Sequence, residues 1–287
     1  MDKIFRLFVF TAFSALISLF PVCASAGLMA TNDFRYGDEG TKQDAFTVYA
    51  PTSENMLVGV QGAFSKKNSY GKIYTARIPI TYTGELNMAT ITPFVYSHHA
   101  GMTAYGGRFA LSTVLSLKNE TKDSFMITLN GGHALIKADD VNDGLVKFQQ
   151  TALGLSVEAT IQHQFKFTVE GSGFFKPTKG MNNDRLASSV FDFKDLIDIN
   201  GYQIIDEIPN AIVSVRARRT FQPDFENAIY IGYSKMSFRN MGSANSYIVG
   251  MEFFVSDDIT WDIGYNYFKY HEVSAKQYFR VGVSTTF

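Results

Sequence analysis

The chain has 287 residues and a formal net charge of −1 at pH 7, with 46% hydrophobic and 15% aromatic residues. This balance excludes a nucleic-acid-binding protein that depends on bulk positive charge, because such proteins neutralise phosphates with Lys and Arg. The single cysteine, Cys23, excludes an intrachain disulfide framework, so stability has to come from a packed core or from a closed hydrogen-bond network.

The first 26 residues are typical of a secretory signal peptide. Lys3 and Arg6 give a basic start, and residues 7–20 form an apolar and small-residue run that is too short to span a membrane as a helix. Ala24, Ser25 and Ala26 form a small-residue cleavage site. We therefore expect residues 1–26 to be removed during export.

Residues 27–54 leave two interpretations open. Phe46, Val48 and Ala50 alternate with smaller or more polar residues, which indicates a strand, and residues 33–36 could pair with it. The segment is either the first two strands of a sheet or an arm that lies in the periplasm or plugs a lumen. We favour the arm, which makes about twelve strands in the protein and leaves fourteen as the alternative.

From residue 55 onward, alternating segments of about ten residues recur with turn residues between them, which is typical of transmembrane β-barrels. One tight turn is predicted near Glu158. The predicted strands cover residues 55–65, 70–83, 86–98, 103–117, 124–137, 145–157, 160–174, 208–220, 226–238, 243–256, 258–271 and 275–287.

The last predicted strand carries the most informative pattern. Phe279, Val281, Val283 and Phe287 share one face, and polar residues occupy the other. This ending resembles that of bacterial outer-membrane β-barrels, whose final strand closes on a C-terminal aromatic residue that the barrel-insertion machinery reads. The resemblance implies an all-β fold, a single antiparallel transmembrane barrel over residues 55–287, and a Gram-negative outer membrane with its lipid and lipopolysaccharide as surroundings.

The alternation also assigns the two faces of the barrel. An Arg or Lys that faces lipid at the bilayer midplane costs about 2–4 kcal/mol, so the charged face is expected to point into the lumen. The alternative is that these side chains pair with one another and merely fill a narrow barrel. The predicted pore-lining residues are Arg77, Arg108, Lys166, Arg216, Arg218, Glu252, Asp262 and Arg280.

A long outer loop is predicted at residues 176–207. Its carboxylates include Asp184, Asp192, Asp195 and Asp198, and it also carries apolar residues that a fully solvated loop would not need. It could fold into the barrel mouth, where its carboxylates would face the basic wall as a constriction. A hairpin that extends two strands above the membrane is the alternative.

These features predict a porin-like channel for passive diffusion of small hydrophilic solutes, with a mild preference for anions and with no cofactor or metal. An outer-membrane hydrolase acting on lipid is one alternative, because His133 and His163 are predicted to face lipid, where barrel phospholipases and deacylases place a catalytic histidine. However, the sequence contains neither G-x-S-x-G nor H-E-x-x-H. A surface-exposed adhesin or structural barrel is the other alternative.

Overall fold

The structure is a computed structural model that describes residues 27–67, 71–98, 103–117, 123–140, 144–175, 196–197, 209–221, 227–239, 242–256, 258–271 and 274–287. The predicted signal peptide and the loop carboxylates Asp184, Asp192, Asp195 and Asp198 lie outside the described residues. Within the described ranges, no helix is long and apolar enough to cross a membrane.

Antiparallel strands make up nearly all of the described chain. One short 3-10 turn, Asp38–Gly40, joins the first two. The strand segments are β1 Met29–Gly37, β2 Thr41–Ser53, β3 Met56–Lys67, β4 Gly71–Arg77, β5 Ile80–Thr83, β6 Asn87–His98, β7 Thr103–Ser116, β8 Ser124–Asp140, β9 Gly144–Ile161, β10 Phe165–Phe174, β11 Pro209–Thr220, β12 Ala228–Phe238, β13 Ser243–Ser256, β14 Ile259–Tyr270 and β15 Lys276–Thr286.

The first and last strands pair with each other and close the sheet into a barrel. β1 runs antiparallel to β15, with Phe34 opposite Val281. Beyond the strand ends, the Phe287 N–H donates to the Leu28 carbonyl at 2.8 Å, and the Leu28 N–H donates to the Phe287 carbonyl at 3.2 Å. The barrel therefore has no free sheet edge, which is the condition for crossing hydrocarbon with strands.

We call the end of the barrel where β1 begins and β15 ends the turn end, and the opposite end, where β10 ends and β11 begins, the loop end. Hydrophobic side chains cover the outside between the two ends. Phe167, Val213, Val249 and Phe279 are each about half exposed, as the alternation predicts for residues that contact acyl chains. Ile127, Leu129, Trp261 and Ile263 are also exposed on the outside.

β4 and β5 together occupy one position in the barrel. Arg77 lies opposite Phe94 and Ile80 lies opposite Ile91, so the register against β6 is continuous across the break. The break falls at Ile78 and Pro79, where proline has no N–H to donate to the ladder. The barrel thus has fourteen strand positions, which matches the alternative count rather than the preferred twelve.

The additional strands come from the N-terminal segment. Residues 27–54 form β1 and β2, so the interpretation as an arm or plug was wrong.

The tight turn that was predicted near Glu158 falls instead at residues 162–164, and Glu158 lies within β9. Gln162 and His163 adopt left-handed backbone conformations there, with φ of 52° and 56°. His163 is consequently a turn residue and does not face lipid as predicted.

The exterior assignment predicts a clear difference between two arginine substitutions. Val249→Arg would place a charge in the middle of the apolar belt and should lower the free energy of unfolding by about 2–4 kcal/mol. Thr31 points into the barrel, so Thr31→Arg should lower the free energy of unfolding much less. Urea unfolding in phosphatidylcholine vesicles measures both, and equal losses would contradict the assignment of faces.

Candidate functional site: a charged chamber inside the barrel

The turn-end half of the lumen contains a cavity of about 590 Å³, which we call the chamber. Its wall is mostly polar, and its charged residues come from both halves of the sequence. Those charged residues are Asp33, Arg35, Arg77, Arg108, Glu252, Asp262 and Arg280. Five of the eight predicted pore-lining residues, Arg77, Arg108, Glu252, Asp262 and Arg280, are therefore brought together here.

Ion pairs cover the wall formed by β1, β14 and β15. Arg280 lies between two carboxylates, with Nε 3.0 Å from Asp33 and Nη1 2.6 Å from Asp262. Asp33 also accepts from Arg35 at 3.0 Å. The register explains this arrangement, because Asp33 and Asp262 both lie opposite Gly282, two residues beyond Arg280 on the same face.

A second group of pairs continues along β11 to β13. Arg218 donates through Nη2 to Glu252 at 2.7 Å, and Arg216 lies 3.9 Å from the same carboxylate. The Arg216 guanidinium also stacks 4.3 Å from the ring centroid of Tyr230, whose hydroxyl donates to Asp262 at 2.7 Å. Tyr230 thus connects the two groups of ion pairs across β12.

The wall formed by β2 to β7 differs in charge. It contributes Arg77 and Arg108 to the described lining of the chamber but no carboxylate. Arg77 donates to the neutral amide oxygen of Gln61 at 2.5 Å, and Gln61 donates to Thr47 at 2.8 Å. One wall of the chamber therefore has its carboxylates matched by arginines, whereas the other presents arginine alone among its charged side chains.

The remaining predicted pore-lining residues are Lys166, Arg216 and Arg218, which face the interior but do not line the chamber. Lys166 pairs with Glu158 at 3.0 Å. Because β9 extends to Ile161, Glu158 lies opposite Thr168 and close to Lys166. The turn predicted near Glu158 did not allow this pair to be foreseen. The structure supports part of the pairing alternative, because many of these charges neutralise one another.

Sequence reasoning missed two chamber residues and the tyrosine that connects the two groups of ion pairs. Asp33 and Arg35 belong to the segment that we interpreted as an arm, although their alternation with Phe34 and Tyr36 indicated a strand. Tyr230 looked like one more aromatic residue of a barrel. Gly250 makes room for it, since a Cβ there would lie 2.2 Å from the Tyr230 ring.

The loop-end half of the lumen is filled by an apolar core, which we call the plug. Its side chains point inward from strands around most of the barrel, and Phe94, Phe148 and Phe268 are only 1–3% exposed. Inward-pointing aromatic residues would be exposed in an open pore, so their burial shows a filled lumen. Phe174, Phe238 and Tyr270 belong to the same core.

Leu196 and Ile197 of the long loop lie within the plug, at 0% and 1% exposure. They lie against two glycines on the inner face of β8 and β9. A Cβ on Gly132 would come within 2.2 Å of the Leu196 carbonyl oxygen, and one on Gly154 within 2.7 Å of Ile197 Cδ1. These two residues of the long loop therefore lie inside the barrel, and the role of the loop as a constriction stays a prediction.

The packing of Ile197 leaves polar groups without partners. Among the described residues, Asn130 Oδ1 and Ser172 Oγ are buried with no hydrogen-bond partner, and both lie next to Gly154, where Ile197 packs. Each such group costs about 1–3 kcal/mol relative to its hydrated state. The apolar contacts of the plug stabilise it, while these two groups favour its release.

The glycine contacts predict how the plug responds to one added methyl group. Gly132→Ala should push the Leu196 backbone away and lower the free energy of unfolding by about 1–3 kcal/mol, as overpacking does elsewhere. Gly171→Ala is the matched control, since a Cβ there meets nothing within 4 Å. Thermal unfolding in detergent compares the two variants, and an unchanged midpoint for Gly132→Ala would contradict the contact.

The histidine most relevant to the hydrolase alternative is on the exterior. His133 is exposed on β8, and its Nδ1 lies 2.8 Å from the Thr151 hydroxyl. Within the described residues, no group of three or more His, Cys, Asp or Glu could hold a metal ion. The absence of enzymatic activity stays a prediction.

Comparison with known proteins identifies a fold rather than a family. No family model matches the chain, and no curated protein sequence matches it. Among solved structures, CdiB from Acinetobacter baumannii aligns with a TM-score of 0.51 and 8% identity, over 91% of this chain and 60% of that one. The NanC porin aligns with a TM-score of 0.45 and 12% identity, over 90% and 98%. OprD of Pseudomonas aeruginosa, an outer-membrane protein, aligns with a TM-score of 0.45 and 11% identity, over 91% and 93%.

Identities this low show the fold alone. That fold agrees with the closed sheet, the apolar exterior and the polar chamber described above. The chain therefore has a closed antiparallel β-barrel fold, and no family is assigned to it.

Proposed function

We propose that this barrel lies in the outer membrane of a Gram-negative bacterium and passes small hydrophilic solutes by diffusion, with a mild preference for anions. The observation that carries the proposal is the chamber, a polar cavity of about 590 Å³ inside a closed barrel with an apolar exterior. Short turns at one end and the long loop at the other support a turn end in the periplasm.

The charge distribution of the chamber supports the anion preference. Its three carboxylates, Asp33, Glu252 and Asp262, each lie within ion-pair distance of at least one arginine, whereas Arg77 and Arg108 come from a wall with no described carboxylate. A small anion that enters the chamber meets arginine side chains on both sides. A cation has to compete with those arginines for each carboxylate.

Passage through the barrel requires the plug to open. The Leu196 backbone lies next to the chamber wall, because it packs on Gly132, and Gly132 pairs with Arg108, which lines the chamber. Release of Ile197 would let water reach Asn130 and Ser172, which offsets part of the lost apolar contact. Asp195 and Asp198 flank the two plug residues in sequence, and we propose that they and the other loop carboxylates form the constriction.

Removal of the plug residues tests the closure directly. Deletion of residues 184–204 should raise single-channel conductance in planar bilayers by roughly two-fold or more, because the apolar constriction is lost. The intact protein, which should show smaller or intermittent openings, is the comparison. Unchanged conductance and ion selectivity after the deletion would rule out a role of the loop in closure.

The anion preference predicts the effect of two substitutions. Arg77→Ala with Arg108→Ala should lower the chloride-to-potassium permeability ratio by roughly a factor of two, since two of the arginines that line the chamber are removed. Reversal potentials in a KCl gradient measure this ratio. Arg219→Ala, on the exterior at the turn end, is the control and should leave it unchanged. The proposal would be refuted if the unmodified protein preferred cations, or if it showed no conductance in planar bilayers.

We also propose that the terminal aromatic residue is read by the barrel-insertion machinery. Phe287 is 77% exposed and so contributes little packing. Phe287→Asp should lower the amount of barrel assembled in cells yet leave unassisted folding into vesicles intact, whereas Thr286→Asp should affect neither. Heat-modifiable gel mobility measures assembly, and equal assembly of Phe287→Asp and the parent protein in cells would contradict this recognition.

A further inference from the structure

Rows of lysine lie on the exterior of the barrel, near the loop end. Lys42, Lys66 and Lys72 lie directly opposite one another on β2, β3 and β4. Lys235 and Lys269 flank Asn245 in the same way on β12, β13 and β14. In each row the residues point outward, because their sequence neighbours in the strands face the lumen.

Aromatic residues lie two positions along the strands from each row, on the same outer face and toward the turn end. Tyr233, Tyr247 and Tyr267 form a continuous row under the second lysine row, with ring centroids 5.2 Å and 6.2 Å apart. Phe64 and Tyr74 pack 5.5 Å apart under the first. Aromatic rings of this kind mark the boundary between hydrocarbon and headgroups.

The height of the apolar belt agrees with this boundary. Along β13 the outward residues from Tyr247 to Val255 are exposed or half-exposed hydrophobic side chains. Eight residue steps at the usual rise and a tilt of about 40° span roughly 20 Å, close to the apolar band of about 25 Å in such barrels. The lysine rows therefore lie at the level of the lipid headgroups.

Like charges directly opposite across a sheet are destabilising unless something offsets them. Among the described residues, Lys42, Lys66 and Lys72 make no ion pair with an acidic side chain, and Asp44, one step below, accepts instead from Asn32 at 3.1 Å. Adjacent strands are about 4.8 Å apart, so the three ammonium groups can converge on one anion.

The second lysine row also presents hydrogen-bond donors on the exterior of the barrel. The Tyr233 hydroxyl donates to Asn245 Oδ1 at 2.8 Å, so the Asn245 amide group keeps its N–H donors for another partner. Lys235 and Lys269 supply an ammonium group on either side. An amide donor between two cations suits the oxygens of a phosphate group.

We infer that these two lysine rows bind the phosphate groups of lipid in the leaflet at the loop end. With the loop end facing outward, this lipid is the phosphorylated glycolipid of the outer leaflet. Its acyl chains lie against the aromatic rows and the apolar belt, and its phosphates lie among the lysines. The inference depends on membrane insertion but not on conduction through the chamber.

The test uses the full-length mature protein in non-ionic detergent, with lipid binding followed by native mass spectrometry. We expect bis-phosphorylated lipid A to bind, and the variant Lys42→Gln, Lys66→Gln, Lys72→Gln to bind it roughly a hundred-fold more weakly, as expected for three lysines at a membrane surface. Added NaCl should weaken binding to the parent protein as well. Lys235→Gln with Lys269→Gln is the second variant and should also lose affinity.

Arg219→Gln is the matched control, because it removes an exterior cation at the turn end, where Arg219 lies 5.4 Å from the Phe165 ring. It should bind lipid A as the parent protein does. The inference is overturned if both lysine variants bind like the parent, or if dephosphorylated glycolipid or phosphatidylcholine binds equally well. It is also overturned if inorganic phosphate alone raises the melting temperature as much as lipid A does, which would indicate a site for free phosphate.

Discussion

The hydrogen-bonded pairing of β1 with β15 is the contact on which the rest of this structure depends. Hydrocarbon offers no partner to a backbone N–H or carbonyl, so a sheet can span it only when its last edge is paired. The pairing runs from Met29 opposite Thr286 to Gly37 opposite Tyr278. It also fixes which residues face inward, and it places Asp33 and Arg35 beside Arg280 in the chamber.

Closure around fourteen strand positions encloses more space than the chamber occupies. The turn-end half of this space is lined by charged side chains, and the loop-end half is filled by apolar side chains. At the turn end, charged residues of neighbouring strands form ion pairs around the chamber. At the loop end, inward aromatic residues and Leu196 with Ile197 exclude water. Alternation alone predicts a uniformly polar lumen, and the inward face of β9 departs from this pattern with Phe148, as that of β14 does with Phe268. These two departures locate the plug.

The sequence was sufficient for the fold class, the exterior face and much of the charged wall, because a period of two sorts residues wherever one face meets lipid. It was less informative where pairing between distant strands decides the outcome. Nothing local in residues 29–37 indicates that β15 lies beside them. The turn at Gln162 and His163 carries neither glycine nor asparagine, so its left-handed backbone had no residue signal. The contact of Leu196 with Gly132 joins residues that no short pattern relates.

The plug and the chamber are energetically linked through one short stretch of wall. Arg108 lies opposite Gly132, and Gly132 has no side chain because the Leu196 backbone occupies that space. A movement of Leu196 would therefore change the surroundings of a chamber arginine. The buried oxygens of Asn130 and Ser172 lower the cost of that movement, since they gain water when Ile197 leaves. A plug made only of apolar contacts would lack this compensation.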